Sequence, residues 1–159
     1  YPVSVAAIGK QTAELLSETD FHYSQSHQND PLGAAVVEAV IDEIERNDLV
    51  AEAARKGTNF LEQLRKLVEG LVVPAEQDPP AVAVRGRGLM MAVDMRDRNT
   101  TDRIHTELIE RGFIVGNRGS SFRIDPPLTI SEGKFDEFVR AFKEVLETES
   151  LENQTAGGK

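Results

Sequence analysis

The sequence predicts an α/β protein: a small α+β domain with the element order β-α-β-β-α, its helices on one face of the sheet, preceded by a long interdomain helix. Two observations predict this fold. Apolar residues recur at helical spacing over residues 31–70 and again over 135–146. Between these stretches, short β-prone runs alternate with turn residues and one further helical stretch, as in a sheet packed against helices.

The composition limits the function classes. The chain has 159 residues, of which 40% are hydrophobic, enough for one core or two small ones. It has no cysteine, which excludes disulfides, a thiolate nucleophile and a cysteine metal site. The net charge of -9 disfavours nucleic acid and anionic membranes as partners, and no apolar stretch is long enough to span a bilayer. We expect a cytoplasmic protein.

The first thirty residues form a poor unit on their own. Residues 1–8 are apolar and β-prone, typical of a strand already under way, and a short helical stretch follows over 11–17. The polar run 21–29 predicts an ordered loop. We therefore expect a truncated chain, with residues 1–30 poorly ordered or packed against another chain because their apolar surface has lost its cover.

A long helix is predicted over residues 31–70. Asp30 can cap it, and Pro31 occupies the first helical position, where its missing N–H costs nothing. The apolar period is interrupted once, near Asn47 and Asp48, so we expect the helix to be bent or broken there. Such a helix can connect one domain to the next.

Residues 71–148 are predicted to form the small α/β domain. A linker with prolines at 74, 79 and 80 leads into it, and a turn over 85–88 opens a strand over 89–95. A helix over 102–111, closed by Gly112, precedes two strands, 113–115 and 122–124, joined by a turn over 116–119. A capping box at 129–132 opens the last helix, and residues 149–159 are expected to be a flexible tail.

Few residues are typical of a catalytic or binding motif. The Gly-rich segment 85–88 lacks the spacing of a phosphate loop, so a structural turn is favoured there. The three histidines, His22, His27 and His105, do not stand at metal-ligand spacing, and no metal site is expected.

Two positions leave a structural and a functional interpretation open. Ser26 belongs to a polar cluster just before a helix N-terminus, which suits either helix capping and turn chemistry or the binding of an anion such as phosphate. Arg123 alternates with Phe122 and Ile124, so it lies on the opposite face of its strand from both. It is either a solvated surface residue or a planar fork for a substrate carboxylate.

Four segments, taken together and in this order, resemble a known family. They resemble the C-terminal portion of class III (ornithine/4-aminobutyrate type) pyridoxal-phosphate-dependent aminotransferases, and the match spans nearly the whole chain. The segments are Tyr1-Pro2-Val3-Ser4, Ser26-His27-Gln28-Asn29-Asp30-Pro31-Leu32-Gly33-Ala34-Ala35, Arg85-Gly86-Arg87-Gly88-Leu89-Met90 and Phe122-Arg123-Ile124-Asp125-Pro126-Pro127-Leu128-Thr129-Ile130.

The resemblance implies part of a fold-type I homodimer with its active sites at the subunit interface. Residues 1–30 would be a remnant of the large cofactor-binding domain. The Schiff-base lysine would lie upstream of Tyr1, so no residue of this chain is expected to be catalytic, and Lys10 is not its equivalent. Ser26 stands where the family has a threonine that reaches the cofactor phosphate of the neighbouring subunit. Arg123 matches the arginine that binds the substrate's α-carboxylate.

The implied reaction is transfer of an amino group from an amino acid, ω-amino or diamino donor to a 2-oxo acid. The acceptor favoured is 2-oxoglutarate, and the cofactor is pyridoxal 5'-phosphate, held by a lysine Schiff base. The chain alone would be inactive. Two alternatives stay open: a non-catalytic small-ligand-binding or dimerisation module, and a related aminomutase or decarboxylase that uses the same cofactor.

Overall fold

The computed structural model of the chain describes residues 2–24, 26–71 and 81–156, with side chains as far as Ser150. Tyr1, most of the predicted linker and the last three residues of the predicted tail lie outside these ranges. The chain divides into two compact units, Tyr1–Asp48 and Leu49–Lys159, and each is described by itself.

The first unit contains two helices, α1 (Lys10–Ser17) and α2 (Pro31–Arg46). The strand predicted over residues 1–8 is wrong for the described residues, because 2–9 have no regular structure and are exposed. A strand needs a neighbour to pair its backbone N–H and C=O groups, and the described part of this unit offers none. α1 buries no residue and α2 buries only Gly33, so the unit has little core of its own.

The predicted start and interruption of the long helix are present. The N–H of Leu32 donates to Asp30 Oδ1 over 3.0 Å, and Pro31 is at the first helical position. α2 ends at Arg46, Asp48 has a positive φ of 45°, and α3 (Leu49–Glu69) begins one residue later. Residues 31–70 therefore form two helices, of which the second belongs to the second unit.

The second unit is built on a four-stranded antiparallel sheet. Its strands are β1 (Ala81–Arg87), β2 (Met90–Met95), β3 (Gly116–Asn117) and β4 (Ser121–Ile124), in the order β1-β2-β4-β3. The helices of this unit are α3, α4 (Arg98–Glu110) and α5 (Glu132–Ala156). Strands β2 and β4 match the predicted positions, and the small α/β domain is confirmed.

Two turns begin later than predicted, because their first residues, glycines included, belong to strands. Arg85 to Arg87 belong to β1, where Gly86 is opposite Met91 and a Cβ on it would lie 2.6 Å from the carbonyl oxygen of Met90. Glycine permits this close approach of two strands. Gly116 and Asn117 likewise form β3, and the turn follows, with Gly119 at a φ of 68°.

The strand predicted over residues 113–115 is also wrong. The N–H of Phe113 donates to Leu108 O over 2.8 Å, and His105 Nε2 lies 3.1 Å from Val115 O. Helix α4 therefore satisfies backbone groups that a sheet would otherwise pair. α4 itself begins earlier than predicted, at Arg98, because Asp97 caps it: the Thr100 N–H donates to Asp97 Oδ1 over 2.8 Å.

The last helix begins and ends differently from the prediction. Its cap is Ser131 rather than Thr129, since the N–H of Lys134 donates to Ser131 Oγ over 3.3 Å. α5 continues to Ala156, past Glu149, where we expected a flexible tail. Glu149 is buried and pairs with Arg103, which ties this part of α5 to α4.

One face of the sheet is covered by the helices. Along β2 and β4 the buried side chains alternate with exposed or half-buried ones, and the buried set packs against apolar residues of α3, α4 and α5. Phe60 of α3 and Phe135 of α5 stack with ring centroids 3.4 Å apart. The buried residues of the two strands are Met91, Val93, Met95, Phe122 and Ile124. Helices on one face leave the other face of the sheet open, as the sequence predicted.

Within the described ranges, no helix is long and apolar enough to cross a membrane.

Candidate functional site

The open face of the sheet carries a group of polar side chains. Arg85 of β1 is opposite Ala92 of β2, which is opposite Arg123 of β4. In the next row, Asp94 of β2 is opposite Ser121 of β4. Since successive side chains of a strand point to opposite faces, all five lie on the face away from the buried core. The small side chain of Ala92 leaves space between the two arginines.

Asp94 is the centre of a hydrogen-bonded group on this face. Arg85 donates to both of its carboxylate oxygens, from Nε over 3.0 Å and from Nη2 over 3.1 Å. The Ser121 hydroxyl donates to Asp94 Oδ1 over 2.6 Å. These hydrogen bonds, with Arg85 contributing most, lower the pKa of Asp94, and the same contact raises the pKa of Arg85. Both carboxylate oxygens of Asp94 are therefore hydrogen-bonded within the group, which links β1, β2 and β4 on the open side.

Arg123 is exposed on the open face while its neighbours Phe122 and Ile124 are buried, as the alternation predicted. Its Nε donates to Asp125 Oδ2 over 3.0 Å, and its Nη2 donates to the same oxygen. This hydrogen bond to Asp125 is the main cause of a raised Arg123 pKa. Within the described residues, Nη1 makes no hydrogen bond. One edge of the guanidinium is thus available to a ligand.

The charge of the open face differs in sign from that of the whole chain. Arg85 and Arg87 of β1 and Arg123 of β4 share the face with Asp94, and Asp125 follows β4 directly. Three arginines and two aspartates give a local charge of +1, in a chain whose net charge is -9. An anionic ligand is therefore attracted to this face more than to the rest of the surface.

Ser26 lies in the other unit, in a turn over residues 26–29 where His27 and Asn29 have positive φ values of 64° and 60°. Asp30, not Ser26, caps α2, so the helix-capping part of the structural interpretation is wrong for Ser26, while the turn it also predicted is present. Within the described residues, its hydroxyl makes no hydrogen bond. Ser26 contributes to the wall of an open groove of about 1310 Å³ formed by this unit alone. The hydroxyl is therefore available to a ligand oxygen.

The histidines have more neighbours than the sequence indicated. His22 Nε2 lies 3.3 Å from Asp20 Oδ1, and His27 Nδ1 lies 3.6 Å from Asp30 Oδ2. Both contacts join residues two or three positions apart in the sequence.

Sequence reasoning missed the residues that surround Arg123. Asp94 could have been found only with the β1–β2 register, which depends on recognising β1 as a strand. Asp125 had a local signal: a residue two positions along an extended segment lies on the same face and is within reach of a long arginine side chain.

The fold described above is also the fold of solved transaminase structures. A transaminase from the marine bacterium Virgibacillus superimposes on 91% of the chain with a TM-score of 0.77 at 21% identity, over 35% of its own length. The sequence profile of the Aminotransferase class-III family matches residues 1–146. The chain belongs to that family, and the resemblance found in the sequence is confirmed.

Three curated relatives differ in their named activities. A putrescine aminotransferase of Pectobacterium atrosepticum is 27% identical over 91% of the chain and 30% of its own length. An ornithine aminotransferase of Staphylococcus saprophyticus is 29% identical over 92% of the chain and 34% of its own length. A leucine/methionine racemase of Thermococcus litoralis is 35% identical over 67% of the chain and 25% of its own length. The chain thus spans between 25% and 34% of these relatives' length.

Proposed function

We propose that the chain is the C-terminal part of an aminotransferase that uses pyridoxal 5'-phosphate. The amino group would pass from an ω-amino or diamino donor to a 2-oxo acid, with 2-oxoglutarate as the acceptor. Family membership supports the reaction class, and the putrescine and ornithine aminotransferases among the relatives support the donor class. We further propose a cytoplasmic homodimer.

The observation that carries this proposal is the open edge of Arg123. Its guanidinium is exposed, one edge makes no hydrogen bond within the described residues, and the surrounding face is positive in an acidic chain. A guanidinium binds a carboxylate through parallel N–H···O hydrogen bonds, which fix the orientation of the carboxylate as well as its position. We therefore assign to Arg123 the binding of the substrate carboxylate.

Ser26 fits the phosphate-holding part of a cofactor site. Its hydroxyl can donate to a phosphate oxygen, and no described residue occupies it. Pyridoxal phosphate supplies an electron sink that lets a proton leave the substrate carbon that bears the reacting amino group. The part of Ser26 would be to hold the phosphate of the neighbouring subunit's cofactor. The part of Arg123 would be to hold the substrate so that the reacting bond is correctly oriented.

In this proposal the chain binds the cofactor phosphate and the substrate carboxylate, and it does not transfer the proton. We propose that the lysine that moves the proton belongs to a part of the parent protein outside this sequence. Residues 1–30 would belong to the large cofactor-binding domain, 31–70 to the connection and 71–148 to the small domain. The chain alone would then hold ligands weakly and turn over none.

The experiment compares two purified proteins. One is this chain, and the other is a longer protein expressed from the gene with the coding sequence that precedes Tyr1 included. Both are supplied with pyridoxal phosphate, putrescine and 2-oxoglutarate, and glutamate formation is followed. We expect glutamate from the longer protein and none from the chain alone. Formation of glutamate by the chain alone would refute the proposal that this chain only binds ligands. A longer protein that is inactive with every diamine and amino acid donor would refute the aminotransferase proposal.

Racemisation is the second candidate, because the leucine/methionine racemase is the most similar of the three relatives over its matched residues. A racemase also needs its substrate's carboxylate held, so Arg123 would serve either reaction. The two are separated by incubating the longer protein with L-leucine and no 2-oxo acid. Formation of D-leucine in this incubation would support racemisation. Formation of glutamate after 2-oxoglutarate is added, with no D-leucine before, would support transamination.

A further inference from the structure

Gly116 is the residue directly opposite Arg123 on the edge strand of the sheet. β3 pairs with β4 so that Gly116 is opposite Arg123 and Asn117 is opposite Phe122. Because successive side chains of a strand point to opposite faces, position 116 is on the open face with Arg123, and Asn117 is on the face that the helices cover. On its other side Arg123 is opposite Ala92 of β2. Both neighbouring strands therefore present a very small residue to Arg123.

A side chain at position 116 would press on the base of the Arg123 side chain. A Cβ on Gly116 would lie 3.2 Å from Arg123 Cβ and 3.4 Å from Arg123 O. Directly opposed residues of an antiparallel pair have Cβ atoms about 4.5–5.5 Å apart, so β3 and β4 approach each other unusually closely here. The φ of Gly116 lies outside the left-handed region, so glycine provides space at this position rather than a special backbone conformation.

Helix α4 holds β3 on both sides of Gly116. His105 Nε2 lies 3.1 Å from Val115 O, and Asn117 Nδ2 donates to Asp102 Oδ1 over 2.8 Å. These contacts involve the two residues adjacent to Gly116, and both come from the same helix. β3 therefore cannot move away from β4 without losing contact with α4. A Cβ at position 116 would instead displace the opposite residue on β4.

We propose that Gly116 is a positioning residue for Arg123, because its lack of a side chain lets the guanidinium present its open edge to a substrate carboxylate. This inference rests on the proposed function of Arg123. The atom that a Cβ would displace is Arg123 Cβ, so a small tilt there becomes a larger shift of the guanidinium at the end of the side chain. Two parallel N–H···O hydrogen bonds to a carboxylate require a defined geometry, which such a shift disturbs.

The test is an NMR titration of this chain, isotopically labelled in arginine, in which sodium propionate replaces sodium chloride at constant ionic strength. The Nε signal of Arg123 is identified by its loss in Arg123→Lys. Gly116→Ala adds the Cβ, and Gly133→Ala is the matched control, because a Cβ there meets no atom within 4 Å. A double variant combines Gly116→Ala with Asn117→Ala, which removes the hydrogen bond to Asp102 and lets β3 move away from β4. Asn117→Ala alone is the reference for the double variant.

We expect propionate to bind at Arg123 about two- to fivefold more weakly in Gly116→Ala, the range that an exposed ion pair contributes. The amide spectrum of the folded chain should be retained, and binding should be unchanged in Gly133→Ala. Adding Gly116→Ala to Asn117→Ala should weaken binding by less than about twofold, because β3 then moves instead of Arg123.

Unchanged or tighter binding in Gly116→Ala overturns the inference and leaves the role of Arg123 intact. An equal loss with and without Asn117→Ala also overturns it, because the methyl group would then obstruct the ligand itself. Loss of the folded spectrum in Gly116→Ala overturns it as well, because glycine would then be required for the fold.

The unsubstituted chain separates this inference from the proposal on which it rests. No response of its Arg123 signal to propionate overturns the inference together with the role of Arg123. Since the titration involves no turnover, its result is independent of the assay for glutamate.

Discussion

Gly57 on α3 is in contact with the turn between β1 and β2. A Cβ at position 57 would lie 2.1 Å from the carbonyl oxygen of Gly88 and 2.3 Å from its carbonyl carbon. Ordinary contacts of a Cβ begin near 3.4 Å, so Gly57→Ala requires helix and turn to separate by about 1.3 Å. Both partners are backbone, which cannot move aside as a flexible side chain can. The substitution therefore tests whether α3 and the hairpin pack through this contact.

Two opposing terms set the expected effect of Gly57→Ala. Overpacking of a rigid contact costs about 3 kcal/mol, near the upper end of its usual range. Replacing glycine with alanine inside a helix stabilises by about 1 kcal/mol. The net loss of unfolding free energy is about 2 kcal/mol, which lowers Tm by about 8 °C for a unit of this size.

Thermal and urea unfolding, followed by circular dichroism, measure this loss. The control is Gly133→Ala near the start of α5, where an added Cβ meets no atom within 4 Å. We expect that variant to match the original protein or to exceed it slightly. An unchanged or raised Tm in Gly57→Ala would show that the helix and the turn can separate without loss of unfolding free energy, and the packing argument would fail.

Three further variants test other contacts of the second unit. Phe60→Ala should lose about 3–5 kcal/mol of unfolding free energy in urea, because a ring stacked on Phe135 leaves a cavity; a loss below 1 kcal/mol would contradict the buried stack. Glu149→Ala should lose about 1–2 kcal/mol because it leaves Arg103 without its buried partner, while the exposed Glu147→Ala should change little; equal effects would mean that α5 is not held at Glu149. The hydrogen bond from the Thr100 N–H, followed by that from Arg96, lowers the pKa of Asp97 to about 2, so its carboxylate stabilises the fold above pH 4 and loses this effect as the pH falls towards 2. Asp97→Asn keeps the helix cap, so it should be about 1 kcal/mol less stable at pH 7 and equally stable near pH 2; a difference that does not vary with pH would refute this assignment.

The sequence predicted what depends on local chemistry and on the apolar period. The cap at Asp30, the interruption near Asp48 and the outward direction of Arg123 follow from residue type and spacing, and all three are present. The amphipathic pattern likewise predicted the helices that cover one face of the sheet.

The errors concern elements whose structure is decided by a partner distant in sequence. Gly86 is in a strand because β2 approaches it closely, and residues 2–9 form no strand because the described part of their unit offers nothing to pair with. Backbone groups of residues 113–115 form hydrogen bonds with α4 instead of with the sheet. The partner of Arg85, Asp94, is likewise decided by the pairing of β1 with β2, whereas the partner of Arg123, Asp125, lies only two residues along the chain.

The strand order has a consequence for how the molecule folds. β1 and β2 are joined by a two-residue turn, and a hairpin of this kind forms in about 1–10 μs. β4 pairs with β2 only after the segment 96–120, which includes α4, has been closed into a loop, and such nonlocal pairing is slower. Arg85 and Asp94 can therefore meet early during refolding, whereas Arg123 joins them only when β4 docks. If this face binds a carboxylate as proposed, that ability should be among the last properties of the native state to appear.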